Sequence, residues 1–588
     1  ISDNDDVLGP LQSLETAVEI RSVATRAALA SATPTNLDDA YLTEDGRTGK
    51  FVFDSSNLSA AVTLDAQQGV YIPPASDTSG ASGCWVRQYE TRINVKWFGA
   101  KGDGATDDTS AIQAAINYVA QYSLNEVYFP VGEFLFTKLF LNYDAVDNPG
   151  YPTVDDQLGR IRLVGAGRQT YRNFSDSAPI NTVLRSTDAT GPAIKCDGDP
   201  LSLDQFRTDQ VQFRDLSIIA DNTTYVIDLD RVPQNSGFVD VFIGQDGAGG
   251  GLSWRNFWIG HMERVKICGD SSILSGIGLY IRNGSAAAGG LSGGFYQLNQ
   301  VVVNFFDKAW QIGHETYGSG DRIHSFSMIN CQGGSSNTGI EIGHGANQVS
   351  MVGCHVEGCD LGVQIGNGAA NVSFSDGSLV HCDVLVQIGN GDNSNGDRWQ
   401  QVEFKNTRFF SDADTTHHVK VFGMIDSNNC RMIGNSHIGH ASATEVAIEI
   451  ENVNITTIAL IAPFFSSLIS TEVVNPERLS YYEQEKNTQW RTVNQNAALA
   501  DIPFRFRQDA NIGAKAVVQY FQSDGDQPFV NFGSPITPAA NANHISTTNS
   551  GTATGPGDGA WTFSRMVLVQ TEDAGGTTDY WMPLFTKI

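Results

Sequence analysis

The chain is short of positive charge. Its 588 residues carry 37 Lys and Arg against 65 Asp and Glu, a formal net charge of −28. So acidic a surface repels phosphate backbones and anionic headgroups, which excludes nucleic acid and membrane surfaces as broad partners. The sequence has no uninterrupted apolar run of about 18 residues, the length a membrane-spanning helix needs, and no basic-then-apolar leader. Its eight cysteines (84, 196, 268, 331, 354, 359, 382 and 430) form neither a CxxC pair nor a CxxC…HxxxH pattern. Zinc sites and a disulfide-dense scaffold are therefore not expected, and the thiols are expected to be free, buried and used as small hydrophobes. No metal and no cofactor are implied. "GAKGDG" (99–104) precedes a helical segment, yet it lacks both the G-x-G-x-x-G spacing and a terminal Gly-Lys-Ser/Thr, so it is not a phosphate-cradling loop.

What is present is glycine, 60 residues of it, and an internal repeat. "GIEIGHG" (339–345), "GVQIGNG" (362–368) and "LVQIGNG" (385–391) place isoleucines at 342, 365 and 388, two steps of 23 residues. The same step links Phe326, Val349 and Val372; Met328, Met351 and Phe374; Cys331 and Cys354; and Cys359 and Cys382. Within each step, apolar and polar residues alternate with period 2 and are interrupted by Gly, Asn and Asp, so the unit holds short strands and no helix. The leucine-rich and calcium-binding nonapeptide patterns are absent. The remaining architecture is a right-handed, single-stranded parallel β-helix with coils about 4.8 Å apart. The fold class expected is mostly β.

The rhythm predicts three regions: a small N-terminal domain over 1–95, a β-helix over 96–470, and a C-terminal β-sandwich over 471–588. An open solenoid end exposes apolar core and unpaired strand edge, so it must be covered. "DGATDDTSAIQAAI" supplies the cover, a capping helix at about 107–121 with Asp107 or Thr106 as N-cap and Ile112, Ala115 and Ile116 on its apolar face. Upstream, one helical pattern is expected around Leu11, Leu14 and Val18.

The stretch "NVKWFGAKGDGATDDTSAIQAAI" (94–116) resembles the segment that opens the β-helix in the pectate-lyase-like superfamily, in the form found in bacteriophage tailspikes and depolymerases. "EDGRTGKFVFD", "GVYIPP" and "GASGCWVRQY" are similar to the shoulder that precedes it, and "DYWMPLF" to a strand that closes many C-terminal domains of such spikes. The resemblance implies a homotrimer in the virion, on the phage tail, that binds and cleaves a bacterial capsular or O-antigen polysaccharide. It also implies an N-terminal anchor to the tail, and a chain that begins at Ile1 is expected to have lost it. The scaffold hosts hydrolases, lyases and deacetylases alike, and the same β-helix can serve a non-enzymatic adhesin.

Hydrolysis of a glycosidic bond takes two carboxyl groups, roughly 5–5.5 Å apart for retention and 6.5–9.5 Å for inversion, and outward columns of adjacent coils offer the shorter spacing. Asp360 and Asp383 share a column with Asn337, which is either catalytic or a turn column whose acids bond their own backbone. Glu357 stacks between Gly334 and Val380, where the glycine leaves room for a ligand; it is otherwise a solvated surface glutamate. Glu357 with Asp376 or Asp383 is the carboxylate pair expected. An inserted loop places Arg398 and Trp399 for an acidic sugar and a sugar face, and a second loop offers Glu315, Asp321 and Arg322. His355 joins these as a substrate-binding candidate, and with His381 and His417 it is also available to a lyase. Glu341, Gln364 and Gln387 form an outward ladder, and Trp310 falls on an inward column.

Overall fold

In the computed structural model, residues 21–483 are described apart from 35–37, 123–125, 143–158, 170–180, 198–207, 231–235, 258, 283–293, 315–322, 367, 390–399, 423–428, 442–444, 452–456, 470 and 475–480. Beyond 483 the strands 515–517, 519–520, 545–546, 561–573 and 576–587 are described. The chain forms two compact units, Ile1–Trp310 and Gln311–Ile588.

In the second unit the 23-residue step becomes one coil. Ala346–Val352, His355–Glu357 and Leu361–Ile365 are followed by Ala370–Ser375, Ser378–Val380 and Val384–Ile388, each strand parallel to its successor and in register: Val349 opposite Val372, Val356 opposite Leu379, Ile365 opposite Ile388. The alternation seen in the sequence sorts the faces, since Val349, Met351, Val356, Val363 and Ile365 are all essentially inaccessible. Each such side chain contributes roughly 1.5–3 kcal/mol by leaving water, which is what keeps the register from slipping by one residue.

The Gly, Asn and Asp interruptions are corners. Asn330, Gly353, Asp376, Asn406 and Gly434 have φ of 52°, 64°, 55°, 49° and 63°. These are left-handed conformations that Gly, Asn and Asp adopt with least strain. A second corner column, Ser335, Gly358 and His381, has φ of 47°, 66° and 53°. The two corners bracket a three-residue strand whose middle residue points inward. Parallel stacking continues past the expected limit at 470, to Thr471–Val474 and Tyr481–Glu483. Further on, Lys515–Val517, Gly576–Lys587 and Trp561–Asp573 form an antiparallel sheet.

The first unit opens with a five-stranded sheet in the order Arg21–Val23, Asp39–Leu42, Gly49–Asp54, Cys84–Arg87 and Tyr71–Ile72, closed over Leu29, Ala40, Leu42, Phe51, Ile72 and Trp85. Two short helices, Arg26–Ala30 and Ser59–Leu64, occur here without having been anticipated. The helical pattern at Leu11, Leu14 and Val18 lies outside the described residues. Parallel stacking begins at Arg92–Asn94, which pairs with Glu126–Tyr128, slightly before the expected 96. The capping helix is Thr109–Gln121, with Ile112, Ala115, Ile116 and Val119 fully buried, and it packs on the strands Glu126–Tyr128, Leu139–Phe140 and Gly159–Val164. Its N-cap is Asp108 rather than Asp107 or Thr106, which belong to the preceding strand. The Asp108 carboxylate turns back instead to accept the backbone N–H groups of Lys101 (2.7 Å) and Gly102 (2.9 Å), so it closes the glycine-rich turn. All eight cysteines are buried and free, and Trp310 is buried.

Candidate functional site: a carboxylate–imidazole face and a stacked aspartate pair

The corner at His381 separates two groups of titratable side chains in the second unit. On one side lies the outer face of the three-residue strands. His355 and Glu357 flank inward Val356 and so share that face; in the next coil Ser378 stands opposite His355 and Val380 opposite Glu357. One coil further, Arg408 stands opposite Ser378 and Phe410 opposite Val380. Arg408 is exposed, and Phe410 keeps 39% of its surface in water.

The side chains converge. His355 Nε2 lies 3.1 Å from Glu357 Oε2, its Nδ1 lies 2.7 Å from Ser378 Oγ, and His381 Nδ1 lies 3.5 Å from Glu357 Oε1. The hydrogen bond from His355 holds the Glu357 carboxyl below the usual range; partial burial opposes this, and the charges of both imidazoles add to it. An ionised Glu357 accepts the proton on Nε2, which leaves Nδ1 of a neutral His355 as the acceptor for the Ser378 hydroxyl. The His381 ring also packs edge-on to Phe410, at 5.9 Å. The side chains of His355, Glu357 and His381 are 36%, 46% and 45% exposed, open to a polymer from outside.

On the other side of the corner, Asp360 and Asp383 stack in adjacent coils as the register required. Asp383 N–H donates to Cys359 O (3.2 Å) and Val384 N–H to Asp360 O (3.0 Å). A turn column would have its acids bonding their own backbone. Asp412 does so, its Oδ1 accepting from the backbone of Asp414 and Thr415. Neither the Asp360 nor the Asp383 carboxylate engages in a hydrogen bond among the described residues, and both residues are exposed. Burial, then the charges of Asp360, Asp414 and Asp412, raise the Asp383 carboxyl above its ordinary value.

Asp376 is placed differently. It occupies the left-handed corner at the far end of the short strand from the column of Glu357, and its Oδ1 accepts from Asn406 Nδ2 (3.1 Å) in the same corner column. The contacts of the Glu357 carboxylate are with His355 and His381. Gly334, the in-register neighbour of Glu357, is buried. Arg398, Trp399, Glu315, Asp321 and Arg322 lie outside the described residues. The Glu341, Gln364 and Gln387 column is in register and continues to Lys420 and Glu449. His417 begins the strand His417–Phe422 that carries Lys420, its Nε2 2.9 Å from Glu449. Among the described residues no cluster of three or more His, Cys, Asp and Glu could hold a metal ion.

Ser378, Arg408 and Phe410 escaped the sequence reading. Ser378 was within reach, 23 residues after His355. Arg408 and Phe410 follow their partners by 30, because the loop inserted after Ile388 breaks the step.

The in-register parallel pairing of successive coils defines a parallel β-helix. Residues 92–364 match the family model described as rhamnogalacturonase A/epimerase, pectate lyase-like. Among curated proteins, the chain is 30% identical over 130 residues to a capsule K3-specific depolymerase of Klebsiella phage KP32, a match covering 17% of this chain and 15% of that one. It is 61% identical over 41 residues to alginate lyase 7 of Azotobacter vinelandii, covering 7% and 5%. The chain thus spans well under a fifth of the length of the curated relatives it matches. Among solved structures, the tailspike of Acinetobacter phage vB_ApiP_P1 aligns over 97% of this chain and 96% of its own, with 12% identity and a TM-score of 0.42.

Proposed function

We propose that the chain is a phage tailspike depolymerase that binds a bacterial capsular or O-antigen polysaccharide along the outer face of its second-unit coils and hydrolyses glycosidic bonds within it. The observation that carries this reading is the Asp360–Asp383 pair: two exposed carboxylates in adjacent coils, free of the turn hydrogen bonds that would explain them, with the proton of one held above the ordinary range. A carboxyl that retains its proton beyond the ordinary range suits a general acid. Asp383 is the general acid that protonates the leaving oxygen. Asp360, about 4.8 Å away at the backbone, is the nucleophile at the spacing of a retaining enzyme. Phe410 offers a sugar a flat apolar surface and Arg408 a carboxylate partner. The phage relatives support the choice of substrate, one of them being described as specific for a capsule.

A second reading rests on the Glu357 cluster. An ionised carboxylate with two imidazoles can take a proton from the carbon beside a uronate carboxyl, with Arg408 neutralising that carboxyl, and the bond then breaks by elimination. The products separate the two. Purified capsule should be cut to oligosaccharides with saturated ends, and Asp383→Asn should abolish the cutting. Oligosaccharides bearing the ultraviolet absorbance of an unsaturated uronate would replace hydrolysis with elimination, and a polymer of unchanged length would leave an adhesin. Homotrimer formation and attachment to the virion tail belong to the same proposal. Sedimentation of the purified chain tests the first.

A further inference from the structure

Ser378, His355 and Glu357 form a relay that chain cleavage by the aspartate pair does not use. The hydroxyl sits 2.7 Å from Nδ1 of the imidazole, whose Nε2 sits 3.1 Å from a carboxylate. A nucleophile within hydrogen-bond reach of a base, and the base in turn oriented by an acid, is the arrangement that activates a serine. The backbone fixes it. His355 and Glu357 are two apart on one strand, and Ser378 is their in-register neighbour on the next. The second oxygen of Glu357 faces His381, which steadies the carboxylate from the far side. Beyond Ser378 in the same column stands Arg408, a cation that makes no ion pair among the described residues.

We propose that these three residues are a serine-hydrolase triad that removes ester-linked acyl groups from a glycan lying on this face. Ser378 Oγ attacks the carbonyl carbon while its proton passes to His355 Nδ1, and Glu357 balances the imidazolium. The negative charge on the carbonyl oxygen is met by Arg408. The sugar oxygen departs with the proton from Nδ1, leaving an acyl-Ser378. Water, deprotonated by the same nitrogen, then releases the carboxylic acid and restores the hydroxyl. No co-reactant beyond water is needed. The proposal shares with the hydrolytic reading a glycan on this face and Arg408, and it gives the Glu357 cluster a different task from the eliminative one.

The test uses the full chain, a fluorophosphonate serine probe and an O-acetylated polysaccharide, with acetate release and polymer length read from one incubation. The probe should add its mass to the peptide carrying Ser378. Labelling should vanish in Ser378→Ala, and acetate release should fall about 100-fold or more in Ser378→Ala and His355→Gln. Ser378→Cys should exchange fluorophosphonate labelling for rapid reaction with a thiol reagent, which a hydroxyl kept only to hold His355 in place would not produce. Absence of the Ser378 adduct, or acetate release that survives Ser378→Ala, overturns the triad. Shortening without acetate release overturns it while leaving the depolymerase intact; acetate release without shortening does the reverse.

Discussion

Two histidines in the coil interior make stability depend on pH in a calculable way. His437, the inward residue of the strand Ser436–Ile438, is fully buried with its ring stacked between Phe409 (4.7 Å) and Phe465 (5.0 Å). Its Nδ1 lies 3.2 Å from Nδ1 of buried His418, whose Nε2 lies 2.6 Å from Ser411 Oγ. His437 Nε2 has no hydrogen-bond partner among the described residues. Burial, and then the charge of His417, push His418 down to about 3 from an ordinary 6.5. Burial, and then His418, push His437 well below it. Both are bases whose folded value is depressed. Between the folded value and about 6.5, therefore, the unfolded chain binds protons that the native one refuses, and stability falls as pH falls. The slope is about 1.4 kcal/mol per pH unit per histidine, which integrates to roughly 2 kcal/mol each between pH 7 and pH 5. Replacement by Phe continues the aromatic column and removes the share of His437. The cost of leaving His418 Nδ1 unpartnered, about 1–3 kcal/mol, does not vary with pH over this window. Urea unfolding of wild type and His437→Phe at pH 7, 6 and 5 should thus show the stability difference moving by about 2 kcal/mol in favour of the variant at the acid end. His261 and His417 are lowered as well, but they are common to both proteins and cancel. A difference constant across the series would refute the assignment of His437 as a neutral buried base.

Ile116→Ala, which empties a fully buried site under the capping helix, should destabilise the first unit by about 2–5 kcal/mol in the same unfolding assay. Asp108→Ala leaves the Lys101 and Gly102 amides without their acceptor and should cost about 1–3 kcal/mol; Asp107→Ala should cost less, because Asp107 bonds only the exposed amide and hydroxyl of Thr109. Asp376→Gly should keep full depolymerase activity and stability close to wild type, whereas Asp376→Val, forced to a φ of 55°, should lose about 1–2 kcal/mol. Loss of polysaccharide cleavage in Asp376→Gly would return this residue to the active centre.

Burial decides which parts of this architecture can be read from the sequence. An inward position must be apolar and of suitable volume in every coil, so Ile342, Ile365 and Ile388 repeat and announce the fold. The corners repeat more loosely, since Gly, Asn, Asp and even His381 can take a positive φ. The limits of the β-helix were blurred for a related reason: the strands Arg92–Asn94 and Tyr481–Glu483 pair with a neighbour on one side at the sequence distances of 34 and 22 residues, Arg92 to Glu126 and Ala459 to Tyr481, outside the 23-residue step. Outward positions are under no such requirement. His355, Ser378 and Arg408 share one column and no chemical likeness, so no pattern search could join them. Only the register could, and the inserted loop had shifted it before Arg408.

That freedom would let one scaffold hold the two proposed chemistries side by side. Coils about 4.8 Å apart bring any two outward residues into contact range whatever their identity, and the inward columns bear the stability, so exchanging an outward group costs little. The His381 corner turns this to use. Before it, a carboxylate meets imidazoles and is held ionised; after it, burial and then neighbouring carboxylates make a carboxyl retain its proton more tightly. A double variant, Glu357→Gln with Asp383→Asn, therefore probes independence. If each face works alone, the loss of acetate release follows Glu357 and the loss of chain cutting follows Asp383, so the double variant shows the two single losses together, as independent sites should. If instead Glu357→Gln by itself stops chain cutting, the imidazole face takes part in breaking the glycosidic bond, and the hydrolytic assignment of the aspartate pair fails.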